Sequence, residues 1–286
     1  RVRADYIPTD YDLYVSFNYL RSSFLLPPGK KSIAWIHGGM QTLAREEKGE
    51  ERVLQDKAFY KADRIIAISD TTAQYIYNLF PAHKDKIKII YNGVDIERVR
   101  IKAKEHTHIK LEHPALLSVG RLDENKNPLR LLEIFTQVHK ENPLAHLYYL
   151  GYGDLEDVVV KTAEKYGLSE YVHLLGYYDN PFPIMTQCDI VCMFSISEGF
   201  PMVLLEGVTL DKPFVSSVIG GSKTLSNDQR CGKTAVTDEG AVNDILELLK
   251  VNQDEIKREC RKSIKRFTLA GYISQIEQLF EEVINS

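Results

Sequence analysis

The sequence predicts an α/β protein of two domains, each a doubly wound, mostly parallel sheet covered by helices on both faces. Three observations lead there. The chain has 286 residues, and at about 150 residues per domain that makes two cores. Strand-like apolar runs alternate with helical ones, the order that builds parallel sheets. In the second half the strand-like runs are almost continuously apolar, as strands buried on both faces require.

Residues 11–17 and 31–37 are short apolar runs bounded by Pro, Gly and Lys and read as buried strands. The charged segment that follows carries Val53, Leu54, Phe59 and Ala62 at helical spacing. Next come a strand at 64–69, a helix from Thr71, and a strand at 87–91 that ends in the sharp turn Asn92-Gly93-Val94-Asp95. Residues 97–113, rich in Lys, Arg, His and Glu, mark the domain junction. The expected division is an N-terminal domain over 1–92, a second domain over 93–268, and a last helix over 269–286. From Ala115 the pattern restarts with a strand at 116–119 and a helix with Asn127 as N-cap and Pro128 at its first position. A strand at 146–150 leads through Gly151-Tyr152-Gly153-Asp154 into a helix that Gly167 stops. Strands near 172–175, 190–194 and 213–217 follow, then helices at 241–250, 254–266 and 272–284. The first domain, with so few strands expected in 92 residues, is short for a doubly wound sheet. The expectation is that an N-terminal stretch is missing.

Composition narrows the function. With 44% hydrophobic and 27% charged residues the chain buries enough apolar surface to fold. A formal charge of -4 and a pI near 6.1 argue against nucleic acid as a partner. Cys188, Cys192, Cys231 and Cys260 lack metal-ligand spacing and framework density, so they read as reduced, buried thiols. No apolar run nears the roughly 18 residues of a membrane span, and Arg1-Val2-Arg3-Ala4-Asp5 leads into Tyr and Pro instead of an apolar core, so no signal peptide is expected. A soluble, cytoplasmic protein is expected.

In open parallel sheets ligands bind beyond the carboxyl ends of strands, and three loops there are informative. After 116–119 comes Gly120-Arg121-Leu122, with Lys126 just before a helix. Two cations and a helix dipole suit a diphosphate, and solvated surface charge gives the same pattern. Gly151 and Gly153 form a partial GxGxxG without its third glycine, either a tight turn or a place for a ligand to approach backbone amides. The third loop runs Glu198-Gly199-Phe200-Pro201-Met202-Val203-Leu204 into a helix that carries Glu206. Its amides at Met202 to Leu204 would offer an anion site, and Glu206 would take two hydrogen bonds from a ribose diol. The plain alternative is acidic charge complementing a helix dipole.

The order GRLxxxK, GxG, Glu198-x7-Glu206, Pro213-Phe214-Val215 and Ile219-Gly220-Gly221 resembles the retaining glycosyltransferases of family 4, which have the GT-B fold of two Rossmann-like domains. The likeness runs over about residues 60–280. It implies that Arg121 and Lys126 hold the donor diphosphate and stabilise the leaving nucleotide, that Glu206 binds the ribose, and that Glu198 sits beside the donor sugar. It implies also that the amides around 200–204 cradle the pyrophosphate and that Gly176 and Tyr178 border the base. His37, followed by Gly38-Gly39, matches the histidine that faces the donor sugar. The chain departs from the family in having Gly207 where Ala is frequent, and Ser222-Lys223-Thr224 where an acidic residue usually stands after the Gly-Gly pair.

The resemblance implies transfer, with retention, of a sugar from a nucleoside diphosphate, UDP before GDP, to a glycan or lipid-linked acceptor, as in bacterial surface polysaccharide synthesis. With a cation pair and no DxD motif, neither a metal nor a cofactor is expected. Six basic residues between Lys257 and Arg266 offer either contact with an anionic membrane at the inner face or a solvated helix face. The rival readings are a GT-B nucleotide-sugar epimerase and a non-catalytic partner that keeps the sugar-nucleotide pocket.

Overall fold

The computed structural model describes residues 7–8, 10–18, 20–38 and 49–286; Arg1 to Asp5 and Gly39 lie outside them. Packing divides the chain into two units. The first comprises Arg1–Gly93, Ser197–Phe200 and Leu269–Ser286, and the second comprises Val94–Ile196 and Pro201–Thr268.

In the first unit, β1 (Tyr14–Asn18), β2 (Ser32–Ile36), β3 (Arg64–Ala67) and β4 (Ile87–Ile89) form a parallel sheet in chain order. Each of the four falls within or beside a run read as a strand from the sequence. Strand alternation gives the sheet two faces. Ala34, Ile36, Ile65 and Ala67 pack on α1 (Gly49–Lys61) and α2 (Asp70–Leu79) through Phe59, Ala73 and Ile76. The buried stripe of α1 is Gln55, Ala58 and Phe59, whereas Val53 and Leu54 are 55% and 48% exposed. The expected helix exists, and of the four residues expected on its apolar face Phe59 and Ala62 are buried while Val53 and Leu54 are not; the buried Gln55 joins the stripe by donating to Ser23 Oγ at 2.9 Å.

In the second unit, the tract expected to be the junction holds α3 (Ile96–Lys102), whose first turn is capped by the Asp95 carboxylate. Then follow β5 (Ala115–Val119), α4 (Pro128–Glu141), β6 (His146–Leu150), α5 (Glu156–Lys165), β7 (Val172–Gly176), α6 (Phe182–Met185) and β8 (Ile190–Met193). After these come α7 (Met202–Thr209), β9 (Phe214–Ser217), α8 (Ser222–Leu225), β10 (Gly232–Ala235), α9 (Asp238–Leu248) and α10 (Gln253–Ile264). The sheet is parallel with order β10-β9-β8-β5-β6-β7, so the winding reverses between β5 and β8. A crevice for ligand opens at that switch point. Asn127 does not cap α4 with its side chain; it is left-handed at φ 51°, and Asp123 organises the turn by accepting from the Lys126 and Asn127 amides.

The last helix, α11 (Leu269–Asn285), belongs to the first unit. It covers the other face of that sheet: Tyr272 meets Trp35 edge-on at 6.3 Å between ring centres, and Glu282 binds Arg64 and Lys88. Leu279 and Val283 are the buried residues of this helix.

Two residues test this packing. Gly151 has φ 148°, and a β-carbon there would overlap the Gly120 carbonyl, so Gly151→Ala should cost roughly 2–4 kcal/mol through strain and overpacking; urea denaturation measures it, and a cost near zero would refute the close approach. In the second sheet His146 Nδ1 and His173 Nε2 lie 3.0 Å apart, with Tyr148 stacked on His173 and Glu112 beside His146. Burial first, then His146, lowers the His173 pKa. A depressed histidine contributes stability that is whole above about pH 6.5 and is lost as pH falls through its folded pKa. Denaturation at pH 7.5 and 5.5 should therefore show a smaller acid loss in His173→Gln than in the native chain.

Candidate functional site

At the switch point the loops after β5 and β6 are laced together by backbone. Gly120 N donates to Leu150 O, Leu122 N to Tyr152 O and Leu155 N to Leu122 O, each at 3.0 Å. The loop after β8 joins them through Ile196 N and Asn125 O at 2.7 Å. These bonds wall a cavity of about 370 Å³ at the carboxyl ends of the strands, with Gly120, Arg121 and Gly151 on one side and Val203 and Glu206 of α7 on another. Its volume suits a small-molecule site of about 300–1,000 Å³.

Six of the predicted donor residues meet here: Gly120, Arg121, Gly151, Tyr178, Val203 and Glu206. Glu206 stands one turn after Val203, on the same side of α7. Burial pushes its carboxyl up to about 7, which sets half protonation near neutral pH. Arg121 is 73% exposed and pairs with Asp123 at 2.9 Å. With its guanidinium this exposed, the pair contributes little and is readily exchanged for an anion. The Lys126 side chain runs along Gly120, its Cε 3.3 Å from where a β-carbon on that glycine would be.

Three expectations about backbone donors are corrected. Gly151 N donates to Gly176 O at 2.8 Å, and Gly153 N donates to the Glu156 carboxylate at 2.9 Å. Neither glycine amide is therefore offered to a ligand; the turn spends them on its own shape, and Gly176 serves by its carbonyl. Leu204 N donates to Pro201 O at 3.0 Å, because α7 starts with a tight turn at Pro201, so Leu204 leaves the expected anion cradle.

Sequence reasoning missed Tyr152, Tyr177, Asp179 and Pro181 on the wall of the cavity. Tyr152 and Tyr177 each follow a strand-ending glycine, and their rings meet edge-to-face at 5.9 Å, exposed by 61% and 65%. The hydrogen bond to Asp179 raises the Tyr177 phenol pKa. Exposed aromatic rings at a strand's carboxyl end were the available signal. A larger cavity of about 560 Å³ between α4 and α9 is lined by Glu133, Glu141, Asp238 and Glu239. Those carboxylates repel a diphosphate, so the smaller cavity is the candidate site.

His37, Glu198, Gly199 and Phe200 belong to the first unit. The His37 ring lies 4.3 Å from that of Phe17, its buried Nε2 lacks a hydrogen-bond partner, and burial lowers its pKa, keeping the imidazole neutral. A β-carbon at 199 would overlap the His37 carbonyl, which explains the glycine in the Glu198-Gly199 turn. The Phe200 ring packs at 6.0 Å from that of Tyr91, tilted by 49°.

Among the described residues no three His, Cys, Asp or Glu gather as a metal-binding group, and no helix is long and apolar enough to cross a membrane. The basic stretch of α10 is largely paired locally: Lys257 with Asp254, Arg261 with Asp211, and Arg258 and Lys262 with Glu259. The four cysteines are buried thiols, and burial pushes Cys188 up to about 12.

Residues 99–267 match the family Glycosyl transferases group 1, and residues 3–98 match Glycosyltransferase Family 4. Over 179 residues the chain is 31% identical to the Campylobacter jejuni N-acetylgalactosamine-N,N'-diacetylbacillosaminyl-diphospho-undecaprenol 4-alpha-N-acetylgalactosaminyltransferase, covering 62% of this chain and 48% of that protein. It is 25% identical to the Escherichia coli O-antigen biosynthesis glycosyltransferase WclY over 78% of this chain and 63% of that protein. The chain thus spans about half the length of the first of these relatives, and less than two thirds of the second. Among solved structures, Anabaena Alr3699/HepE in complex with UDP superposes with a TM-score of 0.78 at 18% identity, covering 96% of this chain and 79% of the other. The likeness shows that the two parallel α/β units are those of a GT-B fold. With a family match that extends over more than half of its residues, the chain belongs to the group 1, family 4 glycosyltransferases.

Proposed function

We propose that this chain transfers a sugar from a UDP-sugar to a glycan or lipid-linked acceptor, with retention at the anomeric carbon. The observation that carries the reading is the switch-point cavity, which joins a cation, a half-buried carboxylate and an aromatic mouth in one small volume. Those three groups suit the three parts of a nucleoside diphosphate. Arg121, with Lys126 beside Gly120, balances the diphosphate and stabilises the charge that builds on it as the glycosidic bond breaks. Glu206, when ionised, accepts hydrogen bonds from two ribose hydroxyls. Tyr152, Tyr177 and Tyr178 offer ring surface to a base. UDP in the bound Anabaena structure supports uracil as the base. In the first unit, the neutral His37 imidazole is suited to hydrogen-bond a sugar hydroxyl. In the transfer an acceptor oxygen forms the new bond to the anomeric carbon, the bond to the diphosphate breaks, and the acceptor proton leaves with the nucleotide.

Thermal shift with UDP and UDP-glucose tests the donor site. Nucleotide at about 100 times its dissociation constant should add roughly 2.7 kcal/mol to the native state. Arg121→Ala and Glu206→Ala should each weaken binding by about 10- to 100-fold, the loss of charged hydrogen bonds. No shift with GDP and a clear one with UDP is the expected pattern; a shift that survives in both variants would place the nucleotide elsewhere.

Glu206 also sets a pH dependence. Ribose hydroxyls donate to its ionised form, so binding releases a proton, and affinity should rise as pH passes upward through about 7. Isothermal titration with UDP-glucose, which has no phosphate proton titrating in this range, should show tighter binding at about pH 8 than at about pH 6, and Glu206→Gln should flatten the difference. Because the cations carry the diphosphate, UDP-glucose binding should be the same in EDTA as in Mg²⁺. A shift abolished by EDTA and restored by Mg²⁺ or Mn²⁺ would show that a metal is needed.

A further inference from the structure

The first unit carries a row of four rings on the sheet face that α11 covers. Tyr272 meets Trp35 at 6.3 Å, Trp35 lies 5.6 Å from Phe17 and 6.4 Å from His37, and Phe17 lies 4.3 Å from His37. The strand register explains the row. Phe17 of β1 pairs with Trp35 of β2, and His37 follows Trp35 by two residues, so the three side chains share one face. Trp35 is buried and backs the row, whereas Phe17 at its front is 57% exposed.

No polar contact holds the buried edge of the imidazole, since Nε2 lacks a hydrogen-bond partner. A histidine ring is ordinarily oriented by the hydrogen bond that one of its nitrogens makes. Here the tilt of the ring depends on its aromatic neighbours, Phe17 at 59° and Trp35 at 24°. The backbone is settled separately, by the close approach of Gly199 to the His37 carbonyl. Burial is the cause of the lowered His37 pKa; the ionisable groups on neighbouring elements, Asp70 of α2, Glu198 of the turn and Tyr272 of α11, are not among its causes. Of the two rings against His37, Phe17 is the nearer and the one that faces solvent. A phenylalanine left so exposed adds little to the core, so its position is explained better by what it covers than by its own burial.

We propose that Phe17 is the positioning residue of His37: its ring sets the orientation of the imidazole and keeps water from it. The proposal rests on the sugar-transfer reading above, in which His37 bonds a sugar hydroxyl, and adds the group that holds His37 ready to do so. A neutral imidazole can donate to a hydroxyl or accept from it. An imidazolium only donates, and it opposes the positive charge that builds on the anomeric carbon.

The test is ¹H–¹³C NMR of the histidine rings in the whole chain, with His37 identified by the signal lost in His37→Gln. In the native chain His37 should titrate below about pH 6.5. In Phe17→Ala the midpoint should rise toward that value, because the cover that disfavours the charged form is gone. In Phe17→Tyr, which keeps the ring, it should stay in place. His173 of the second unit should titrate alike in all three, and an unchanged thermal midpoint shows that Phe17→Ala is folded. Hydrolysis of UDP-glucose gives a second readout: a water oxygen bonds to the anomeric carbon, the bond to the diphosphate breaks, and the water proton leaves with the products. Phe17→Ala should lower kcat about 10- to 100-fold with KM nearly unchanged, and its acid limb should move upward with the His37 midpoint; Phe17→Tyr should restore both. The assignment is overturned if Phe17→Ala leaves the His37 midpoint where it was, or if Phe17→Tyr moves it as far as Phe17→Ala does. It is overturned also if Phe17→Ala turns over like the native chain while His37→Gln does not. A native chain that releases no glucose counts against the transfer reading alone, because the ring titrations then decide the role of Phe17 by themselves.

Discussion

The site depends on one constraint, the backbone lacing between the loops that follow β5 and β6. Leu122 both donates to Tyr152 and accepts from Leu155, and Gly151 donates onward to Gly176. The lacing demands a close approach of two chains at Gly120 and Gly151, which a side chain at 151 would block. It has a chemical consequence as well. In many glycine-rich phosphate loops the amides point at the anion; here the glycine amides are consumed by the scaffold. In the function proposed above, anion recognition therefore passes to side chains, with Arg121 and Lys126 as the cations nearest the lacing.

The electrostatics of the cavity follow from that arrangement. Arg121 and Glu206 line the same cavity, yet the exposed Arg121 pairs with the half-buried Asp123, and burial holds Glu206 at the edge of ionisation. A cavity with an exchangeable cation and a carboxylate that ionises near neutrality is poised for a ligand that brings its own anion and its own hydroxyl donors. A tight Arg121–Glu206 ion pair would have to be broken at a cost of several kcal/mol before such a ligand entered.

Much of this was legible in the sequence. Alternating apolar runs gave two parallel α/β sheets, and charge at the carboxyl ends of strands singled out Arg121 and Glu206, which line one cavity. What escaped the sequence were matters of partnership. Gly153 reads as a donor to a ligand until Glu156, three residues on, is seen to take its amide, a local pattern much like a helix capping box. The loss of the Leu204 amide to Pro201 left no comparable mark, since it depends on how tightly the first turn of α7 is wound. Val53 and Leu54 misled because periodicity weighs side chains by apolarity, and the buried stripe of α1 runs through Gln55, whose hydrogen bond to Ser23 has no sequence signature. Tyr152 and Tyr177 became meaningful only when β6 and β7 proved to be neighbours.

The order of the two units along the chain raises a last physical question, since the first unit is finished by a helix that arrives after the second. Without α11, Trp35 and Ile66 would lose the cover on one face of their sheet, and a sheet buried on one side only is a poor home for so apolar a strand as β2. Closing that contact in an unfolded chain means closing a loop from Gly93 to Leu269, an entropic cost that grows slowly with length but is real. The second unit removes most of it. Val94 N donates to Phe267 O at 2.8 Å, and Val94 bridges Thr268 in parallel, so the folded second unit holds its own first and last residues one strand spacing apart. Once it has folded, α11 is tethered a few residues from where the chain left the first unit. Arg64 and Lys88 then meet Glu282 at the far end of the helix, which fixes the direction in which it lies. The hydrogen bond at Val94 thus keeps the two ends of the second unit close together, which shortens the loop that α11 must close.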